Sequence, residues 1–178
     1  MNKRPDSIRD RVPRIHGVTD ADKNAARSPH NLFVLNIFFC NLLMTPAAIV
    51  MDVGMYAFLI PLACSLSVIL YIFLRSRRTS RWFVDMHWQL AFRRCVWLMS
   101  GYAATALLLL VGWLISLSAA DARMADIMFT AISRIAVLPS LLAVMITVVM
   151  EAGALHLVNK GEVPDKLADK YPPASDKP

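Results

Sequence analysis

A chain of 178 residues has room for one domain, and its 57% hydrophobic content is above the roughly 45–50% of soluble proteins, which argues against a water-soluble globule. The net charge of +6 would raise nucleic acid as a partner in a soluble protein, but the basic residues sit in the gaps between apolar blocks, as they do beside a membrane. Cys40, Cys64 and Cys95 show no CxxC spacing, so neither a disulfide framework nor a zinc site is indicated.

Residues 1–30 hold seven Lys/Arg together with Pro5, Pro13 and Pro29, and are expected to form a flexible basic tail rather than a cleavable signal. Residues 31–158 are expected to form the membrane domain, with a first span from about Leu32 to Met51 and a second from about Met55 to Leu74. Asp52 to Gly54 would be the tight turn between them.

The stretch RSRRTSRWFVDMHWQLAFRRCVW, residues 75–97, follows with six arginines, three tryptophans and a histidine. Arg75, Arg77, Arg78, Arg81, Arg93 and Arg94 suit anionic headgroups, and Trp82 and Trp88 suit the interfacial belt, so this stretch reads as an interfacial anchor. Its apolar residues fall on two faces, Trp82, Phe83, Met86 and Leu90 opposite Val84, Trp88, Ala91 and Phe92, which predicts one face against lipid and one against protein. Arg81/Asp85 and Gln89/Arg93 are candidate pairs at i,i+4. Nothing up to Ser118 forces a stop, so one helix is expected to begin in the interface and continue as a third span from about Val96 to Ser118.

A polar link, AADARMAD, then precedes a fourth span from about Ile127 to Val149, and residues 159–178 with four prolines read as a short, mostly unstructured cytoplasmic tail. The amino-terminal tail has seven Lys/Arg, the central link six and the carboxy-terminal tail four, against none at Asp52 to Gly54 and one, Arg123, in the last link. Under the positive-inside rule both termini and the central link are cytoplasmic. The expected fold is an all-α, four-span bundle of the kind found in a bacterial inner membrane.

Arg134 is the basic residue well inside a span, and a charge at that depth costs on the order of 2.5–3.5 kcal/mol, so it should face the bundle, snorkel outward, or pair with Asp126 or Asp52. Pro139 should free a carbonyl and kink the same helix. Asn36, Cys40 and Asn41 stand in the first span where proton-coupled efflux would want an acid. Small residues at Gly101, Thr105, Gly112 and Ser116 share one face of span three, and Ala136, Ser140, Ala143 and Thr147 one face of span four, as close helix contacts require. Asn36 is a candidate for a hydrogen bond across a helix interface. His30, His87 and His156 share a depth with Glu151, Asp85 and Cys95, a set that would hold a metal or haem if it converged.

No nucleophile-and-base motif or phosphate loop is present, so an enzyme is not expected, nor is a resident cofactor. The composition points to a non-enzymatic interaction protein: a small subunit, regulator or exclusion factor of a larger inner-membrane machine, such as a secretion or conjugation apparatus or a respiratory complex. Its expected partners are membrane lipids with anionic headgroups and other membrane proteins or further copies of itself, not nucleic acid. An oligomeric transporter or channel with a polar path near Arg134, and a metal- or haem-carrying subunit, are the alternatives.

Overall fold

The computed structural model describes residues 17–50, 59–78 and 81–173, and all regular structure among them is helical. The first helix, α1 (Asp20–Asn36), starts at a capping box: the Thr19 hydroxyl accepts from the Asp22 N–H, and the Asp22 carboxylate accepts from the Thr19 N–H. Asp22, Ala26, Pro29, His30 and Phe33 recur at helical spacing and are all buried. The flexible tail expected over 1–30 is therefore helical from Asp20, because the cap satisfies the first-turn donors and the stripe packs against neighbours.

The chain continues without a break through a π-helical segment (Ile37–Leu43) into α2 (Met44–Val50). Side chains reach back five residues here, Asn41 Nδ2 donating to the Asn36 carbonyl and the Thr45 hydroxyl to that of Cys40. Such bonds suit the wider π turn, whose carbonyls point five residues onward. The first expected span lies on this stretch, while its last residue, the turn at Asp52 to Gly54 and the start of the second span lie outside the described residues.

Next comes α3 (Leu59–Ser76), then α4 (Trp82–Ser116), one continuous 35-residue helix as expected from the absence of stop signals. The polar link after it is shorter than expected. Asp121 already caps α5 (Ala122–Ala136), its carboxylate accepting from the Met124 N–H at 2.8 Å. At Val137 the helix breaks and restarts as α6 (Leu138–Lys160), with Pro139 in the new first turn where its missing N–H costs nothing. Three helical stretches are long and apolar enough to cross a membrane: Leu59–Ser76, Trp82–Ser116 and Ala122–Lys160.

After α6 comes a cap and a short α7 (Asp165–Lys170). Gly161 takes φ +71°, the left-handed region glycine enters without strain, so its N–H reaches the Val158 carbonyl and the Glu162 N–H that of Leu157. Leu167 and Ala168 of α7 are buried, so the mostly unstructured tail expected from 159 is ordered to residue 173.

The chain divides into two compact units, residues 1–92 with 151–178, and residues 93–150. In the first unit the start of α4 is packed on both faces, since Phe83, Val84, Met86, Trp88 and Ala91 are all buried. The expectation of one lipid face there fails because α3 takes one side and α1 with the C-terminal turn takes the other. Tyr71 meets Trp88 edge-on and Phe73 meets Phe92, while Asp22 and His30 approach from α1. In the second unit the small-residue faces meet. A Cβ on Gly101 would overlap that of Ala143 and lie 3.1 Å from the Pro139 carbonyl, and one on Gly112 would lie 2.7 Å from Ile132 Cγ2. The Thr105 hydroxyl accepts from the Ser140 N–H at 3.2 Å, capping a first-turn donor of α6 from the neighbouring helix.

Candidate functional site

Three elements of the first unit bring titratable side chains into one buried line. His30 lies on the packed stripe of α1, His87 one turn after Phe83 on α4, and Glu151 near the C-terminal third of α6. His30 Nδ1 and Glu151 Oε2 are 2.7 Å apart, and His30 Nε2 and His87 Nδ1 are 3.1 Å apart. His87 Nε2 then lies 3.3 Å from the backbone carbonyl of Glu162. The left-handed cap at Gly161 turns that carbonyl back toward α4.

The surroundings seal this line. His30 and His87 have 0% of their surface exposed and Glu151 has 1%. The imidazole rings stand nearly perpendicular, 84° between planes, and Phe83 covers His87 with its centroid 4.8 Å away. Buried polar groups persist when hydrogen-bonded, and a carboxylate on the outer nitrogen of a histidine fixes its orientation. The arrangement is linear, with Glu151 on the far side of the His30 ring from His87. Among the described residues no three His, Cys, Asp or Glu side chains converge as a metal cage.

Two of the three histidines singled out from the sequence thus converge, while His156 is exposed. A second polar clamp lies nearby on the same helices: Arg81 Nη1 meets Asp22 Oδ1 at 2.6 Å, joining the start of α4 to the cap of α1. The Thr19 hydroxyl, the Thr19 N–H and then Arg81 hold the Asp22 carboxyl below the usual aspartate range, since each stabilises the anion. Trp82 Nε1 donates to the Tyr171 carbonyl at 2.6 Å, and Arg27 reaches Asn159 Oδ1 at 2.6 Å.

These contacts revise the anchor set. Trp88 is a core residue with Arg75 stacked 5.2 Å over its ring, and Trp82 docks the C-terminal segment. Arg77 and Arg78 are exposed, Arg77 lying 4.3 Å over Phe73. Arg94 is buried, and Arg93 lines a shallow groove with Val96, Trp97 and Ser100. Gln89 donates to the Ser76 carbonyl at 2.8 Å.

Arg134 and Asp126 are exposed, so Arg134 does not face the interior, and Asp52 lies outside the described residues. Asn36 is buried, but among the described residues its amide atoms have no partner. Of the span-one aromatics, Phe33 is buried and Phe38 and Phe39 are half exposed. Sequence reasoning put Glu151 at the same depth as the histidines without pairing it, and missed the Glu162 carbonyl; the glycine after Asn159-Lys160 is the local signal that ends α6 and turns that carbonyl. No known protein family, curated protein or solved structure matches this chain.

Proposed function

We propose that this chain is a four-span integral membrane protein of a bacterial inner membrane, with both termini cytoplasmic. Support comes from contacts within the first unit. Arg81 to Asp22, Trp82 to Tyr171 and Arg27 to Asn159 bring the α1 start, the central link and the C-terminal segment together, so all three belong on one side. With α3 crossing once, the stretch before it must cross too, and the helical run through Val50 is available for that. These are the same three segments that carry the Lys/Arg excess.

In this reading the protein is non-enzymatic: a small subunit, regulator or exclusion factor of a larger membrane machine, whether a secretion or conjugation apparatus or a respiratory complex. The observation that carries it is the sealing of the His30–His87–Glu151 line, which ties helices together and offers no open site to a substrate. Exposed Arg77, Arg78, Lys160, Lys166 and Lys170 are left for acidic partner surfaces and anionic lipid. The test is purification in mild detergent from native membranes through a C-terminal tag, with mass and composition of the eluate. Stoichiometric companions are expected; a protein that elutes alone or only with itself overturns the reading.

Topology is tested separately, in a background lacking the three native cysteines. Cysteines at Arg78 and Lys160 should label only after permeabilisation and one at Ala122 without it; the reverse pattern would sink the four-span arrangement. A transport reading draws on the buried amide of Asn36, without a partner among the described residues, within the first proposed span. It requires that Asn36→Ala abolish flux in proteoliposomes at unchanged expression, and equal flux would reject it.

A further inference from the structure

We propose that the groove on α4 holds one anionic phospholipid of the cytoplasmic leaflet, with its phosphate on Arg93 and an acyl chain laid over Val96, Trp97 and Ser100; this rests on the four-span membrane reading. The groove has a volume of about 430 Å³, and its four residues all belong to the second unit. They recur at i, i+3, i+4 and i+7, so they share one face of the helix. At 1.5 Å per residue they cover roughly 10 Å along the axis.

The order of chemistry along that face matches the order in a phospholipid. Arg93 comes just before the third span, which begins at about Val96, and the remaining residues lie progressively deeper. A glycerophospholipid presents its phosphate, then its ester carbonyls, then its chains in the same direction. Arg93 is half-buried while Val96 is 52% and Trp97 60% exposed, so the groove opens outward to the surrounding lipid.

The polar groups on offer are donors. The Arg93 guanidinium is a planar fork that matches two oxygens of one phosphate, and the Trp97 indole N–H lies one turn deeper, at the level of an ester carbonyl. Neither meets an acceptor among the described residues. The Ser100 hydroxyl already donates to the Trp97 carbonyl at 2.7 Å, so it adds no competing demand. A phosphodiester above ester carbonyls supplies the acceptors these donors need, and a bare hydrocarbon chain does not.

Charge selects the headgroup. Between Asp85 and Asp121 the sequence has no acidic residue, so an ammonium or choline group would find no carboxylate on this stretch and would sit beside the Arg93 cation. Arg94 is buried on the packed side of the helix, which leaves Arg93 to supply the groove's charge. The acids of this unit, Asp121 and Asp126, follow the far end of α4. A second copy in the same membrane orientation therefore cannot bring them to Arg93.

The test is native mass spectrometry of the whole chain released from detergent micelles and titrated with phosphatidylglycerol or phosphatidylcholine of identical acyl chains. Wild type should bind one phosphatidylglycerol about tenfold more tightly than the first phosphatidylcholine, and Arg93→Gln should remove that preference. Trp97→Phe keeps the ring but loses the N–H, so it should weaken both lipids about fivefold and leave the preference intact. Arg123→Gln removes the same charge from an exposed position at the other end of the unit and should leave the first site unchanged. No preference in wild type, a loss from Arg123→Gln equal to that from Arg93→Gln, or a dimer that excludes the lipid would each overturn the proposal. A wild type without preference that still gives the expected labelling at Arg78, Lys160 and Ala122 rejects the lipid site and leaves the topology standing.

Discussion

Gly101 and Gly153 both lie in helices, and the same substitution to alanine should move stability in opposite directions at the two. A Cβ at Gly101 overlaps that of Ala143, which is bonded directly to backbone and cannot swing aside, and approaches the Pro139 carbonyl at 3.1 Å and Ser140 Cα at 3.5 Å. The segments of α4 and α6 must separate, at the roughly 1–3 kcal/mol typical of overpacking. Separation also strains the Thr105–Ser140 bond, a class of contact averaging about 0.6 kcal/mol in membranes. At Gly153 nothing lies within 4 Å of the added atom, so only the helix propensity gain of about 1 kcal/mol operates. That gain is common to both sites, so the difference between the variants isolates packing and should be about 1.5–3.5 kcal/mol. The assay is reversible unfolding in mixed micelles followed by helical circular dichroism. Adding Ala143→Gly to Gly101→Ala should recover most of the loss, because it removes the overlapping atom. Equal midpoints for the two single variants, or no recovery in the double variant, would refute the close-packed interface.

Asp22 titrates below its unfolded value of about 3.9, so it stabilises the α1 start above that pH, and the contribution is lost as pH falls through the lower folded value. Asp22→Asn should therefore remove the acid-side drop in protection of residues 19–23 measured by hydrogen exchange; an unchanged drop would point to another carboxylate. Cys40 of the π-helical segment and Cys64 of α3 are neighbouring free thiols, so a mild oxidant should give an intramolecular disulfide that shifts gel mobility and disappears in Cys64→Ser. Absence of the shift in wild type would contradict that packing. Asn36→Leu replaces a buried amide that has no partner among the described residues with an apolar side chain and should raise the unfolding free energy by about 1–3 kcal/mol; destabilisation would reveal a partner for the amide.

Blocks of apolar residues, the absence of stops between Trp82 and Ser116, and the facing stripes at Gly101, Thr105, Ser140 and Ala143 were legible because each rests on local composition or helical period. The start of α1 was also locally encoded, in Thr19 and Asp22, but an aspartate in place of the usual Glu or Gln and the proline at 29 obscured it. The polar line was legible only in part. Its members are 57 and 121 residues apart in sequence, and nothing local distinguishes a histidine filling an interface from one bonded to a second histidine and a glutamate. Trp88 misled for a related reason: a tryptophan between arginines suits a headgroup region and an aromatic core equally, and only its contact with Tyr71 decides.

The division of the chain at residues 92/93 and 150/151 coincides with a change in how helices are held together. In the first unit the start of α4 and the end of α6 are joined to their neighbours by burial of aromatics and by ion pairs and hydrogen bonds such as Arg81–Asp22 and His30–Glu151. The second uses glycine and alanine at close approach and a hydroxyl capping a neighbouring helix, which is what association needs where lipid is as apolar as leucine and burial gives no net drive. Both α4 and α6 pass from one regime to the other at these residues. A helix running from water into hydrocarbon must change its packing chemistry along its length, and for α4 and α6 this change falls near Phe92 and Glu151, where the four-span proposal has these two helices enter the membrane.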